Sequence, residues 1–163
     1  MNKAWLLLGG NIGDRISNLE KAKTMLQEKA GKIIRSSGVY ETASWGNIDQ
    51  PPFLNQVIII ETVFSAEETM NAILSIENKL GRIRTQKNAS RIIDIDILFF
   101  NEDIFQTRDI TIPHPEMQNR NFVLLPLNEI SPQFKHPILK KTVHELFLSC
   151  TDTLDVKLFQ PDL

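Results

Sequence analysis

The stretch RIIDIDILFF, residues 91–100, places two aspartates inside a run of large apolar residues. Side chains of a β-strand alternate between its two faces, so residues two apart point the same way. Asp94 and Asp96 would therefore share one face, with their Cα atoms roughly 7 Å apart. The apolar residues that alternate with them would form the core-facing side: Ile93, Ile95, Ile97 and Phe99. The stretch predicts a strand with one acidic face and one buried face.

Two carboxylates this close repel each other, and an unpaired buried charge is costly. A divalent metal ion is one solution, because Mg²⁺ takes oxygen ligands and commonly uses one or two carboxylates together with water and substrate phosphates. A solvent-exposed face on an edge strand, with arginines nearby, is another solution. Taken alone, the D-x-D pattern leaves both interpretations open.

The composition favours one domain. The chain has 163 residues, 42% of them hydrophobic, which suffices for a single core over 1–163. Its formal net charge of −2 gives no overall attraction to nucleic acid or to an anionic membrane, so any anion site must be local. One cysteine excludes an internal disulfide, and no apolar run reaches the length of a signal-peptide core or a membrane span. We therefore expect a cytoplasmic protein.

The order of predicted elements is β-α-β-β-α-β. A short apolar strand at 5–8 precedes a helix that Asp14 can cap, and residues 32–42 and 53–62 are rich in β-branched residues and predict an antiparallel pair. Ser65 and Glu68 have the spacing of a capping box, which predicts a second helix before the aspartate strand. The apolar stripe expected on that helix consists of Met70, Ile73, Leu74 and Leu80.

This order predicts an α+β fold with a ferredoxin-like βαββαβ core, in which both helices cover one face of an antiparallel sheet. The other face would be open for a site. The rest of the chain, from about residue 102, should contain a helix near 119–128 and another after Thr142, at VHELFL. We expect these to form a C-terminal helical appendage.

Five cations and no acid lie in KLGRIRTQKNASR, residues 79–91: Lys79, Arg82, Arg84, Lys87 and Arg91. A polyphosphate bound with Mg²⁺ needs this combination, because carboxylates hold the metal while guanidinium groups neutralise the remaining phosphate oxygens. A solvated loop or a nucleic-acid patch would have the same composition. Next to the aspartate pair, the polyphosphate interpretation is favoured.

Three further positions are candidates for ligand contacts. Glu77 follows Ile73 by four residues and should face inward, toward a ligand hydroxyl, an arginine or a structural ion pair. Phe53 and Asn55 share a strand face and suit a flat heterocycle, although a phenylalanine at a strand start is usually core and an asparagine there usually closes a turn. His114 lies between two prolines in a loop that continues to Arg120 and Phe122, and we expect it to be exposed. In GGNIGD the glycines Gly9, Gly10 and Gly13 are interpreted as turn formers.

Taken together, these motifs resemble the 6-hydroxymethyl-7,8-dihydropterin pyrophosphokinases of folate biosynthesis. The resemblance spans nearly the whole chain and lies in GGNIGDR, ETASWG, FLNQV, IENKLGRIR, the R-x-x-D-I-D-I-L-F segment and PHPEMQNRNFVLLPL. It implies a transferase that moves the terminal diphosphate of ATP to the hydroxymethyl oxygen of the pterin and releases AMP. It also implies one pterin pyrophosphokinase domain over 1–163, with no nucleic-acid or membrane partner, and we expect a monomer.

The resemblance also implies roles for individual residues. Asp94 and Asp96 would hold two Mg²⁺ ions, and together with Arg82 and Arg91 they would form the catalytic set. The pterin would lie between Phe53 and Phe122, with Asn55 and backbone groups around Thr42 and Trp45 reading its edge. The ATP side would contain Glu77, Arg82, Arg84, Arg91, Ile97, Thr111, His114 and Arg120, where Ile97 contributes its backbone.

Two other functions remain open from the residues. Paired carboxylates on a ferredoxin-like sheet also serve other phosphoryl and nucleotidyl transferases. The same fold class can bind RNA on an aromatic sheet face, although the aromatic-glycine signature of such modules is missing here.

Overall fold

The computed structural model describes residues 1–43, 50–81 and 92–160. The strands are β1 Asn2–Gly10, β2 Lys32–Ser36, β3 Tyr40–Thr42, β4 Phe53–Thr62, β5 Asp94–Phe100, β6 Phe105–Gln106, β7 Thr111–Ile112 and β8 Val156–Leu158. The helices are α1 Arg15–Lys29, α2 Ala66–Lys79, α3 Asn121–Ile130 and α4 Val143–Ser149, with a 3₁₀ turn at Met117–Asn119. The predicted α+β class with an antiparallel sheet is confirmed.

A six-stranded antiparallel sheet runs through the molecule in the order β5-β1-β4-β3-β8, and β2 pairs with β4 beside β3. The aspartate strand β5 is one edge of this sheet, and the short strand β8 is the other. β6 and β7 form a separate two-stranded ribbon. Both edges of the sheet therefore come from segments far apart in the chain.

Helices α1 and α2 cover one face of the sheet. Asp14 caps α1 by accepting a hydrogen bond from the Ser17 N–H at 3.1 Å, and Ser65 and Glu68 form the predicted capping box of α2. Apolar side chains of both helices pack on alternate residues of the strands, with Leu19, Leu26, Ile73 and Ile76 against Leu6, Leu8, Ile58 and Ile95. The stripe predicted for α2 needs one correction, because Leu74 is 38% exposed and Ile76 occupies the core instead.

The opposite face is not open along its whole length. Val123, Leu127 and Ile130 of α3 and Val143 of α4 pack there against Trp5, Leu7, Val57 and Phe99. The C-terminal segment is therefore part of the core rather than an appendage, and its last strand, β8, joins the main sheet. Strand β8 was not predicted, because its three residues are exposed or half-buried and show no apolar alternation.

An irregularity in β5 corrects the predicted orientation of Phe99. Trp5 pairs with Phe99 but Leu6 pairs with Ile97, so one extra residue, Leu98, is inserted opposite β1. Such a bulge puts two successive side chains on the same face. Leu98 and Phe99 consequently both pack in the cluster under α3, whereas Ile95 and Ile97 pack under the first two helices.

The predicted strand 32–42 is also interrupted. Ser37 replaces the regular ladder with hydrogen bonds of its own: its N–H donates to the Val57 carbonyl at 2.8 Å, and its Oγ accepts from the Val57 N–H at 3.0 Å. The chain thereby restarts as β3 after residue 39. Among the described residues, no helix is both long enough and apolar enough to cross a lipid bilayer.

Candidate active site

A cavity of about 720 Å³, including its open mouth, lies where α3 leaves the second face of the sheet uncovered. The described residues that line it come from five separate segments: Leu7, Gly9, Thr42, Ala43, Phe53, Asn55, Asp94, Asp96, Leu98, His114, Arg120, Phe122 and Val123. Its lining combines apolar side chains with a few polar groups, as in small-molecule sites. Apolar walls with a few polar groups suit a flat heterocycle that carries hydrogen-bonding edges.

Asp94 and Asp96 form the acidic wall of this cavity. They begin β5, where Asp94 pairs with Gly9 and Asp96 pairs with Leu7 of β1. Both side chains are half-buried and lie on the same face, as the strand alternation predicts. They also line a second, larger groove along the outer edge of β5, bounded by α2 and by the ribbon of β6 and β7. Among the described lining residues, only these two aspartates belong to both concavities.

Phe53 and Asn55 form a second wall at the start of β4. Phe53 pairs with Thr42, and Asn55 pairs with both Gly9 and Tyr40, so their side chains project into the cavity from the middle of the sheet. Gly9 makes room for Asn55, because a Cβ atom at this position would clash with Oδ1 of Asn55. The predicted role of Gly9 as a turn former is therefore wrong, since it lies within β1. Gly13, with φ +73°, does need the freedom of glycine.

His114, Arg120 and Phe122 close the cavity from the third side. The guanidinium carbon of Arg120 lies 5.8 Å from the centre of the Phe122 ring. His114 is half-buried rather than fully exposed as predicted, and its Nδ1 accepts the Glu116 N–H at 3.2 Å. Burial and the nearby Arg120 cation lower the pKa of His114, against the opposing influence of Asp94 and Glu116. The ring is therefore neutral near pH 7 and presents Nε2–H as a donor.

Glu77 lies inward on α2, as predicted, and is fully buried. Its Oε2 accepts the backbone N–H of Ile95 at 2.7 Å. Ile95 separates the two aspartates, and β5 is an edge strand, so this hydrogen bond ties the acidic segment of the edge to α2. Glu77 also lines the outer groove.

Comparison with known proteins agrees with this geometry. Residues 5–132 match the description of the 7,8-dihydro-6-hydroxymethylpterin-pyrophosphokinase family. The 2-amino-4-hydroxy-6-hydroxymethyldihydropteridine pyrophosphokinase of Aquifex aeolicus is 39% identical over 145 residues, which are 89% of this chain and 90% of that protein. The enzyme of the same name from Bacillus subtilis is 41% identical over 133 residues, covering 81% of this chain and 80% of its own length. The chain belongs to this pyrophosphokinase family.

Some longer relatives match this chain over only one part of their own length. The folic acid synthesis protein FOL1 of Dictyostelium discoideum is 38% identical over 148 residues, which are 91% of this chain and 22% of that protein. The chain spans about a fifth of the length of the folic acid synthesis proteins that it matches. The crystal structure of wild-type Plasmodium falciparum HPPK-DHPS with SDX-DHP superposes with a TM-score of 0.71 at 21% identity, covering 91% of this chain and 43% of that one. This last similarity supports the fold.

Some of the described residues that the resemblance places in the site do not line the cavity. Thr111 is exposed in β7, and the Ile97 side chain is buried in the core, so only its backbone can face the groove. Trp45, Arg82, Arg84 and Arg91 lie outside the described residues, as does most of the cationic stretch. Conversely, the sequence analysis missed Leu7, Leu98 and Val123, which look like ordinary core positions in sequence.

The donor set of the pyrophosphokinase cavity fits magnesium. Among the described residues, no three histidine, cysteine or carboxylate side chains converge on a point where they could hold a metal on their own. Mg²⁺ needs only one or two carboxylates when substrate phosphates and water complete its octahedron. Asp94 and Asp96 supply these two carboxylates, and they line the groove in which a polyphosphate could lie.

Proposed function

We propose that this chain catalyses the reaction named by its family. It transfers the diphosphate of ATP to 6-hydroxymethyl-7,8-dihydropterin, yields the pterin diphosphate and AMP, and serves folate biosynthesis. One observation carries the proposal: Asp94 and Asp96 stand where the aromatic cavity meets the outer groove. A donor nucleotide in the groove and a pterin in the cavity would present their reacting atoms to each other at this junction.

The pterin would occupy the cavity between Phe53 and Phe122. An aromatic slot favours a flat bicyclic ring by stacking, and the Asn55 amide can both donate to and accept from its edge. Backbone groups at Thr42 would supply further hydrogen bonds, and Trp45 is proposed to add to this set. Orientation is the main contribution of these residues, because a fixed hydroxymethyl oxygen converts an encounter into a near-intramolecular attack.

Asp94 and Asp96 would hold two Mg²⁺ ions with ATP. When bound, these ions would lower the charge on the phosphates and help ionise the attacking hydroxyl. Glu77, Arg84, Ile97, Thr111, His114 and Arg120 are proposed to complete the ATP side, with the neutral His114 donating through Nε2–H. Arg82 and Arg91 are proposed to offset the charge that grows on the departing AMP.

The proposed step is an in-line displacement at the β-phosphorus. A bond forms between the pterin hydroxymethyl oxygen and Pβ, the bond from Pβ to the oxygen of the α-phosphate breaks, and the hydroxyl proton passes to solvent. The electron pair of the broken bond stays on AMP. Among the described residues, no side chain is needed as a separate general base once the hydroxyl is positioned and polarised.

Four further proposals concern the chain as a whole. Its order of β5, β1, β4 and β2, with two helices on one face, supports a ferredoxin-like βαββαβ core. We propose that residues 1–163 form a single pterin pyrophosphokinase domain, since one sheet contains both β1 and β8. We also propose that the domain acts as a monomer and in the cytoplasm.

Product analysis tests the proposed reaction. The protein is incubated with Mg²⁺, ATP and 6-hydroxymethyl-7,8-dihydropterin, and nucleotides and pterins are separated by chromatography. We expect AMP and pterin diphosphate in a one-to-one ratio, and neither product without Mg²⁺. Formation of ADP, or of free diphosphate independent of the pterin, would contradict the proposal and favour a different phosphoryl or nucleotidyl transferase.

A further inference from the structure

The segment that follows α4 contacts both sides of the pterin cavity. It includes Asp152 and β8 and lies beyond residues 5–132, which match the family description. On one side it reaches the start of α3, immediately before Phe122, and on the other it reaches β3, which contains Thr42. None of its residues lines the cavity among the described residues.

Asp152 supplies the cap that α3 lacks locally. The residue at the N-cap position, Arg120, makes no side-chain capping hydrogen bond. Instead, Oδ2 of Asp152 accepts the Asn121 N–H at 3.0 Å, and the Asp152 carbonyl accepts from the Asn121 side-chain amide at 3.0 Å. A carboxylate at this end of a helix also interacts favourably with the helix dipole. The helix start that presents Phe122 is thus fixed from 31 residues away.

The same aspartate fixes the strand on the other side of the cavity. Its second carboxylate oxygen, Oδ1, accepts the Leu154 N–H at 3.0 Å and turns the chain toward β8. The carbonyl of Asp155 then accepts the Thr42 hydroxyl at 3.0 Å, and Val156 pairs with Thr42 across the two strands. Asp152 therefore joins the wall that contains Phe122 to the wall that contains Thr42.

We infer that Asp152 is a positioning residue for the pterin subsite, which sets the separation between Phe122 and the Thr42 strand. This inference rests on the proposed function, because it assigns the pterin to the slot between these walls. A slot that stacks a flat ring tolerates little change in its width, because a gap of about 0.5–1 Å already loses a quarter to a half of the dispersion attraction. The groove beside β5 is bounded by α2 and the β6–β7 ribbon, away from this linkage, although Arg120, proposed for the ATP side, directly precedes Asn121.

The test compares Asp152→Ala and Asp152→Asn with Asp155→Ala. Asp155 is a matched control, because its exposed carboxylate forms an ion pair with Lys157 at 3.3 Å, and its carbonyl contact with Thr42 survives the substitution. The Kd of the pterin is measured by its fluorescence in the presence of Mg²⁺ and a non-hydrolysable ATP analogue. The Kd of the ATP analogue is measured separately.

For Asp152→Ala we expect the Kd of the pterin to rise about tenfold, and the Kd of the nucleotide analogue to rise less, by about threefold at most, through the displacement of Arg120. Asp152→Asn keeps one acceptor oxygen and should give an intermediate increase in the Kd of the pterin. This variant replaces Asp152→Ala in the test if the alanine variant folds poorly. Asp155→Ala should match the wild type. Equal losses for both ligands, or an unchanged pterin Kd in both Asp152 variants, would overturn the inference. A wild-type protein that binds no pterin would instead overturn the proposed function.

Discussion

The acidic wall and the aromatic wall of the cavity are built in different ways. Asp94 and Asp96 belong to a single strand, and their common orientation follows from the two-residue period of that strand. The aromatic wall combines Phe53 at the start of β4 with Phe122 at the start of α3, which lie 69 positions apart in sequence. The first wall is a local property of ten residues, whereas the second depends on how the C-terminal segment docks on the sheet. Substitutions in the two walls should therefore have different consequences.

The largest loss of activity is expected for substitutions in the acidic wall. Asp94→Ala or Asp96→Ala should lower kcat by at least about a thousandfold, because each removes a proposed metal ligand and several kcal/mol of transition-state stabilisation. Both variants should remain folded, since the side chains are only half-buried. Glu102→Ala is the control, because Glu102 is an exposed acid just beyond β5 that lines neither the cavity nor the groove; it should stay within about threefold of the wild type. Near-normal turnover in either aspartate variant would remove the metal-site assignment.

Substitutions in the aromatic wall should weaken binding of the pterin more than they slow the chemical step. Phe122→Ala should raise the KM for the pterin by about 5- to 150-fold, the equivalent of 1–3 kcal/mol of stacking, and leave the KM for ATP nearly unchanged. Phe122→Tyr keeps the ring and should stay close to the wild type. Steady-state kinetics with each substrate varied in turn measures both constants. A rise in the KM for ATP of the same size would mean that Phe122 does not separate the two subsites.

Glu77 anchors the backbone of the acidic wall to α2. Glu77→Ala leaves the Ile95 N–H without this acceptor and should lower the free energy of unfolding by about 1–3 kcal/mol. It should also lower kcat about tenfold, because the peptide between the aspartates loses its anchor. Glu77→Gln retains an acceptor oxygen and should recover most of the activity. If glutamine and alanine are equally inactive, the negative charge of Glu77 is required on the ATP side, and the anchoring of β5 is not its main role.

The smallest expected effect is on the pH dependence of stability and concerns His136. This residue lies against Phe99, on the face of the sheet that α3 covers. His136 is buried against Phe99, and its Nδ1 accepts the N–H groups of Ile138 at 3.2 Å and Leu139 at 3.0 Å. Burial lowers the pKa of His136, so the unfolded chain binds this proton more readily than the folded chain. Its contribution to stability is complete above pH 6.5, roughly the pKa of an unfolded histidine, and is lost as the pH falls toward the lower folded pKa.

Denaturant unfolding at several pH values between about 7.5 and 5 checks this expectation for His136. The wild type should lose stability more steeply with falling pH than His136→Asn, whose Oδ1 can replace the Nδ1 acceptor without titrating. His114 is present in both proteins, so its own lowered pKa cancels in the comparison. Parallel stability curves would show that His136 does not contribute to the pH dependence.

The difference between the two walls also explains what could be predicted from sequence. The shared face of Asp94 and Asp96, the caps at Asp14 and Ser65 and the inward position of Glu77 depend on neighbours within a few residues, and all four are found as predicted. The bulge at Leu98 depends on pairing with β1, and the cap that Asp152 provides for α3 depends on a residue in another segment. Strand alternation and helix periodicity contain no information on such contacts. These patterns predicted a C-terminal appendage, whereas α3 and α4 pack in the core and Phe122 of α3 lines the cavity.

The central claim is that the aspartate pair joins a pterin cavity to a nucleotide groove. A crystal structure of the protein with Mn²⁺ in place of Mg²⁺, a non-hydrolysable ATP analogue and a pterin analogue tests this claim most directly, because the anomalous signal of manganese locates the metal. We predict metal bound by both Asp94 and Asp96 and by the phosphates of the analogue, with the pterin ring between Phe53 and Phe122. Phosphates bound away from metal-free aspartates would contradict the claim.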